Sequence, residues 1–273
     1  MTLSIFNFLR DLLFNEKFDQ NGKMFLETKP IVKIIISIIL VIVIIVLTVY
    51  SAKKEKRLSN GNKLKQLTFV SILAGISFIL YFVKFNLPFF MSFLDVQVSN
   101  VPALIGGFLF GPISGVIIVI VRTLLKLPMT STAGVGELAD LLIGAVTVLV
   151  SSLIYHKNKT KKNAVKALIW GTLAWIVTAT LINWLFIADF YIYTMFDGNQ
   201  AIIYGGINAI VGSEIANEQN YMFYYIFIGI LPFNLFLSTL VSFVTFAVYK
   251  RVSKFFHAYI VENTTSELVE KNN

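Results

Sequence analysis

Apolar and polar positions along this chain fall into long blocks. Six apolar runs stand out: Pro30–Tyr50, Leu67–Phe85, Val101–Leu127, Val135–Tyr155, Val165–Ala188 and Met222–Tyr249. A helix needs ~20 mostly apolar residues to cross the hydrocarbon core of a bilayer, and each run approaches or exceeds that length. The pattern predicts an all-α polytopic membrane protein. One run, Val101–Leu127, is interrupted by Gly111-Pro112. Proline removes a helical hydrogen bond and disfavours helix in the residue before it. The run therefore reads as two short helices, about 101–110 and 113–127. Ten residues of helix reach only ~15 Å, so the first of these has to be shielded by protein or be partly submerged.

Charge decides the topology. Segment 51–66 carries six Lys/Arg against one Glu, 156–166 carries five Lys and no acid, and 250–257 carries three Lys/Arg and no acid. Segments 86–100 and 188–221 have no Lys or Arg but hold Asp95, Asp189, Asp197, Glu214 and Glu218. The positive-inside rule puts the three basic clusters in the cytoplasm and the two acidic loops outside. Between 66 and 156 the chain must then cross an even number of times. Counting Val101–Leu127 as two segments gives four crossings, whereas one kinked span gives three and the wrong sign. A core of six spans results, with both of its ends cytoplasmic. The run at 30–50 adds a seventh helix, with the N-terminus outside. Three regions are expected: 1–66, a leader with the extra helix and a basic linker; 67–250, a six-helix membrane domain; and 251–273, a cytoplasmic tail. Residues 4–14 read as a short interfacial amphipathic helix or as a loosely ordered terminus. Charges in the first 29 residues are balanced and no small-residue cleavage site follows the apolar run, so the leader is expected to stay in the mature chain.

Composition agrees. The chain is 56% hydrophobic and 14% charged, about half the charge of a soluble domain. It has no cysteine, which excludes disulfides and a cysteine nucleophile. The only histidines, His156 and His257, lie in basic segments, and HExxH, Walker A and GxSxG motifs are absent. Neither enzymatic chemistry nor ATP use by this chain itself is expected. Nor is a nucleic-acid partner, since the basic clusters flank membrane spans.

The candidate chemistry is a set of polar residues at membrane depth. Arg122 and Lys126 share one helix face, and Glu137 and Asp140 share another. Ionisable groups at the bilayer centre cost ~2.5–3.5 kcal/mol each on the insertion scale, so they face the bundle interior or snorkel. The two pairs either neutralise one another across a short outer turn or contribute to a site. Asn183 and Asn234 each offer a donor and an acceptor, which suits a ring with alternating carbonyl and N–H groups. Aromatics gather at the outer ends: Phe85, Phe89, Phe90 and Phe93 in one loop, Trp184, Phe186, Phe190, Tyr191 and Tyr193 near the other. Most fit an interfacial belt. The loop "NLPFFMSFLDVQVSN", however, is too apolar for a solvated connection and reads as a lid over a pocket. Ser71 and Gly75 form a small-xxx-small pair of the kind that lets helices approach closely in lipid.

Three blocks, "VPALIGGFLFGPISGV", "STAGVGELADLLIGAV" and "ILPFNLFLSTLVSFVTFAVYK", closely resemble the riboflavin-specific substrate-binding (S) component of energy-coupling factor (ECF) transporters. The resemblance runs from about Leu67 to Lys250. It implies a six-helix bundle in a bacterial cell membrane that binds riboflavin near the outer surface and catalyses nothing. The vitamin is cargo and no resident cofactor is implied. The partners implied are a membrane coupling subunit and two cytoplasmic ATPases. By position, Asn183 and Asn234 match asparagines that bond the polar edge of the isoalloxazine ring. Phe89, Phe93 and Leu94 fall in the lid, and Glu137, Trp184 and Arg122 complete the candidate binding set. Ser71 and Gly75 match docking alanines of the first core helix. Four positions depart from the family pattern. Leu237 replaces a lysine three residues after the second asparagine, Asp140 replaces an asparagine, and the docking alanines are changed. Arg122 or Lys126 is a candidate for the missing charge, toward a phosphorylated flavin. Alternatives are an S component for another vitamin or for FMN or FAD, and an autonomous secondary carrier with Glu137 and Asp140 as its ion site.

Overall fold

The computed structural model describes residues 14–18, 24–58 and 63–271. The expectation for residues 4–14 falls almost wholly outside them. A β-hairpin, β1 (Phe14–Phe18) and β2 (Met24–Thr28), precedes α1 (Pro30–Leu58). Then follow α2 (Lys63–Phe82), a loop with the short strands β3 (Lys84–Phe85) and β4 (Val96–Gln97), α3 (Asn100–Phe110) and α4 (Pro112–Lys126). Next come α5 (Val135–Tyr155), α6 (Lys161–Ile182), α7 (Ala188–Met195), α8 (Ala201–Val211), α9 (Tyr221–Tyr224) and α10 (Leu231–Lys271). Among the described residues six helices are long and apolar enough to cross a membrane, and two further apolar helices, α3 and α8, are shorter.

The Gly-Pro break is a hairpin, as the charge parity requires. Gly111 has φ 126° and ψ 165°, a conformation open mainly to glycine. Pro112 occupies the first turn of α4, where its missing N–H costs nothing. The two short helices fold back tightly. A side chain at Gly115 would lie 2.8 Å from the Ala103 carbonyl and 2.9 Å from Cα of Gly107. Helix α3 is buried from Asn100 through Phe108, so the bundle itself supplies the shield this short segment needs. Helix α4 divides its faces. Val116, Ile118, Val119 and Arg122 point inward, while Ile117, Ile120 and Leu124 are exposed to lipid.

The extra helix α1 leans on the bundle through Leu40 and Leu47 and leaves most of its isoleucines exposed. It is pinned at both ends. Lys33 pairs with Asp189 at 2.6 Å. The Glu55 carboxylate accepts the Ile113 N–H (2.6 Å) and the Ser114 hydroxyl (2.8 Å) at the start of α4.

Two features differ from the plain spans read in the sequence. A π-helical turn, Asn183–Ile187, joins α6 to α7, and a second, Tyr225–Ile230, joins α9 to α10. The acidic outer loop also contains α8. Its run of 11 residues is too short to register as a span, but it buries Ile203 and Ile207 in a satellite core with Tyr225, Ile230 and Met91.

Candidate functional site

A cavity opens beneath the first outer loop, where α2, α4, α5, α6 and α10 converge. Its empty volume, counting the open mouth, is about 870 Å³. Asn183, Asn234, Trp175, Phe233 and Leu237 form its deep wall; Glu137 and Asp140 line it from α5; Phe93, Leu94, Asp95 and Gln97 line it from the loop.

Both asparagines are buried and already half-engaged. The Asn183 Nδ2 donates to the Ala179 carbonyl (2.8 Å), and its Oδ1 accepts from the Tyr225 hydroxyl (2.8 Å). The Asn234 Nδ2 donates to the Ile230 carbonyl (2.9 Å), and its Oδ1 accepts from the Trp175 indole N–H (2.9 Å). A carboxamide has two N–H groups and two lone pairs, so each side chain keeps one donor and one acceptor.

The charged residues sort themselves. Arg122 is fully buried. It pairs with Asp140 at 2.9 Å, donates to Ser99 Oγ (2.7 Å) and Asn100 Oδ1 (3.2 Å), and lies 5.4 Å from the centre of the Tyr81 ring. Lys126 donates to the Met129 carbonyl (2.7 Å) and rests 5.0 Å over the Phe82 ring. Glu137 accepts hydroxyl bonds from Thr130 (2.7 Å) and Thr132 (3.1 Å) at one oxygen. Of the two pairings left open by the sequence, Arg122 with an α5 carboxylate exists, while Lys126 and Glu137 have taken other partners.

The loop over the cavity is held by its own contacts. Asn86 Nδ2 donates to the Ser92 carbonyl (2.7 Å) and to Asp95 Oδ1 (2.9 Å), and Lys84 forms an ion pair with Asp95. Phe90 meets Phe233 edge-on at 5.2 Å, and Phe93 lies 5.3 Å from Tyr191. The cavity thus brings together Asn183, Asn234, Phe93, Leu94 and Glu137. It does not include Arg122, which sits behind Asp140, nor Phe89, which is mostly exposed, nor Trp184, which packs on the satellite core. On α2, Ser71 is exposed, and a side-chain carbon added at Gly75 would meet nothing within 4 Å. That face of α2 is open.

The sequence reading missed Trp175, Tyr225, Ser99 and Asn100. A tryptophan in the middle of a span signals a buried polar atom in need of a partner, and that cue was present for Trp175.

A helical membrane bundle with a polar-floored chamber under an aromatic loop is a membrane-embedded small-molecule binder. The sequence profile described as "ECF transporter, substrate-specific component" matches residues 65–249. The chain is 30% identical over 200 residues to a protein named Riboflavin transporter RibU from Staphylococcus aureus, covering 73% of this chain and 96% of that one. It is 27% identical over 176 residues to Riboflavin transporter FmnP of Bacillus subtilis, covering 63% of this chain and 84% of that protein. A solved structure described as the S component of a bacterial ECF transporter superimposes with a TM-score of 0.55 at 29% identity, covering 71% of this chain and 99% of that chain. This chain belongs to the substrate-specific components of ECF transporters and is a multi-pass bacterial membrane protein.

Proposed function

We propose that this chain is the riboflavin-binding subunit of an ATP-driven ECF-type uptake transporter, and that the cavity floored by Asn183 and Asn234 is its vitamin site. The observation that carries this reading is the pair of buried carboxamides. They lie on neighbouring helices, face one chamber, and each keeps a free donor and acceptor. The polar edge of an isoalloxazine offers the complementary alternation of carbonyl and N–H. Phe93 and Leu94 supply apolar cover for the ring, and Glu137 with Asp140 supplies acceptors for ribityl hydroxyls. The likeness to two proteins named riboflavin transporters supports the choice of vitamin. The open face of α2 around Ser71 and Gly75 is the proposed contact with the membrane coupling subunit, and two cytoplasmic ATPases supply the energy. No catalysis is assigned to this chain. A secondary-carrier reading finds less support, because Arg122 claims the Asp140 carboxylate.

Titration of the purified chain with riboflavin tests the proposal. Quenching of flavin fluorescence at micromolar ligand is expected, and Asn183→Ala and Asn234→Ala should each weaken binding by ~1–3 kcal/mol, because a buried polar partner on the ligand is left unpaired. Unquenched flavin overturns the ligand. Quenching with unchanged affinity in both variants overturns the site.

A further inference from the structure

Resting on that reading of the cavity, we propose that Trp175 and Tyr225 are positioning residues that set the specificity of the site by locking the two asparagine carboxamides in one orientation. The wiring is reciprocal. Trp175 lies on α6, the helix that leads into Asn183, yet its indole N–H bonds Asn234 on α10. Tyr225 lies in the π turn leading into α10, yet its hydroxyl bonds Asn183 at the end of α6. Each helix therefore holds the other's asparagine.

The chemistry of the partners removes the ambiguity of an amide. The carbonyls of Ala179 and Ile230 only accept, so each faces an Nδ2. The indole N–H only donates, so it must face an Oδ1. Turning Asn234 over would set N–H against N–H and oxygen against oxygen in a buried site. With both ends of each amide held, the plane is fixed. One N–H and one lone pair per residue remain to read the ligand.

The two π turns make the crossing possible. Such turns shift a helix's register locally and recur at functional sites. Here one begins at Asn183 and the other ends at Ile230, the residue whose carbonyl holds Asn234. Tyr225 is completely buried and is not among the residues bordering the cavity. It therefore acts through Asn183.

A double-mutant cycle tests this, with riboflavin affinity as the readout. Trp175→Phe should weaken binding about tenfold, the worth of one buried hydrogen bond, but by less than about twofold in an Asn234→Ala background. Tyr225→Phe should behave likewise against Asn183→Ala. Crossed combinations, Trp175→Phe with Asn183→Ala, should lose the full factors independently. Tyr225→Phe removes a single oxygen and carries the test alone if Trp175→Phe destabilises the bundle. Equal losses in both backgrounds, or none in the unchanged background, overturn the positioning role while leaving riboflavin binding standing. Failure of the unchanged chain to bind riboflavin overturns the proposed function first and this inference with it.

Discussion

Arg122 shows how a single residue can be read correctly for its depth and incompletely for its task. Its spacing from Lys126 places it on the inner face of α4, and a buried guanidinium demands a partner. The partner on α5, Asp140, was legible because it begins the next span. Ser99 and Asn100 were not, because they lie at the very start of α3 and meet Arg122 only through the tertiary fold. Removing the cation alone leaves Asp140, whose side chain is 14% exposed, without its countercharge, which costs ~3–5 kcal/mol. Arg122→Met should therefore lower the thermal unfolding midpoint in detergent sharply, and adding Asp140→Leu should recover most of the loss. A double variant no more stable than the single one would show that the pair is not the reason. The same residues bear on ligand charge. Three carboxylates, Asp95, Glu137 and Asp140, border the chamber against two cations, Lys84, which pairs with Asp95, and Lys126, which is bonded to a carbonyl; Arg122 is held behind Asp140. Leu237 supplies no cation. A phosphate dianion would meet more fixed negative than positive charge, so riboflavin should outcompete FMN by at least ~10-fold, or ~1.4 kcal/mol, in a fluorescence competition assay. Equal affinities would mean that Lys126 exchanges the Met129 carbonyl for the phosphate.

Elements were legible where one physical rule decided them. Apolar length fixed the spans, and charge parity with one Gly-Pro pair fixed the α3–α4 hairpin before any contact was known. The π turns left no such trace in the apolar pattern of either run. The inner pin of α1 was equally invisible, because Glu55 is the lone acid in a basic cluster and reads as a solvated charge. In the fold it caps α4, with Gln66 donating to Ser114 beside it (2.8 Å). Burial raises the Glu55 pKa above its usual 4.5, while the bonds from Ser114 and Ile113 pull the other way and lose. The sign follows from linkage. A carboxyl whose pKa is higher folded than unfolded binds its proton more tightly in the docked state. Its contribution is fully present below the unfolded value and is lost as pH rises through the raised folded value. The attachment of α1 to the hairpin should therefore tighten as pH falls from 7 toward 4.5, read as a rising protection factor at the Ile113 amide after the intrinsic pH dependence of exchange is divided out. Glu55→Gln keeps an acceptor without a charge, so it should abolish that pH dependence. A dependence that survives the substitution would assign it to another group.

At the scale of the whole molecule, the question is whether α1 belongs to the binding unit or only accompanies it. The family match begins at residue 65, and the solved S component is 99% covered by 71% of this chain, so a bundle of this family stands without α1. The structure offers one reason for doubt: α1 packs against the π turn that begins with Asn183, and Lys33 reaches Asp189 just beyond it. One comparison of partners and one magnitude decide the matter. The polar contacts of α1 are Lys33 to Asp189 and Glu55 to Ile113 and Ser114, whereas the Asn183 amide is held by Tyr225 and the Ala179 carbonyl. Effects at sites that share no partner add within ~0.3–0.5 kcal/mol, so little of the loss of α1 should reach the ligand. Deletion of residues 1–58 is expected to leave riboflavin affinity within roughly threefold of the full chain. Its thermal stability should fall, because Leu40 and Leu47 leave the core and both polar pins are cut. An affinity loss beyond ~100-fold with the helical signal intact would show that α1 braces the first π turn, and would make it a seventh helix of the binding site.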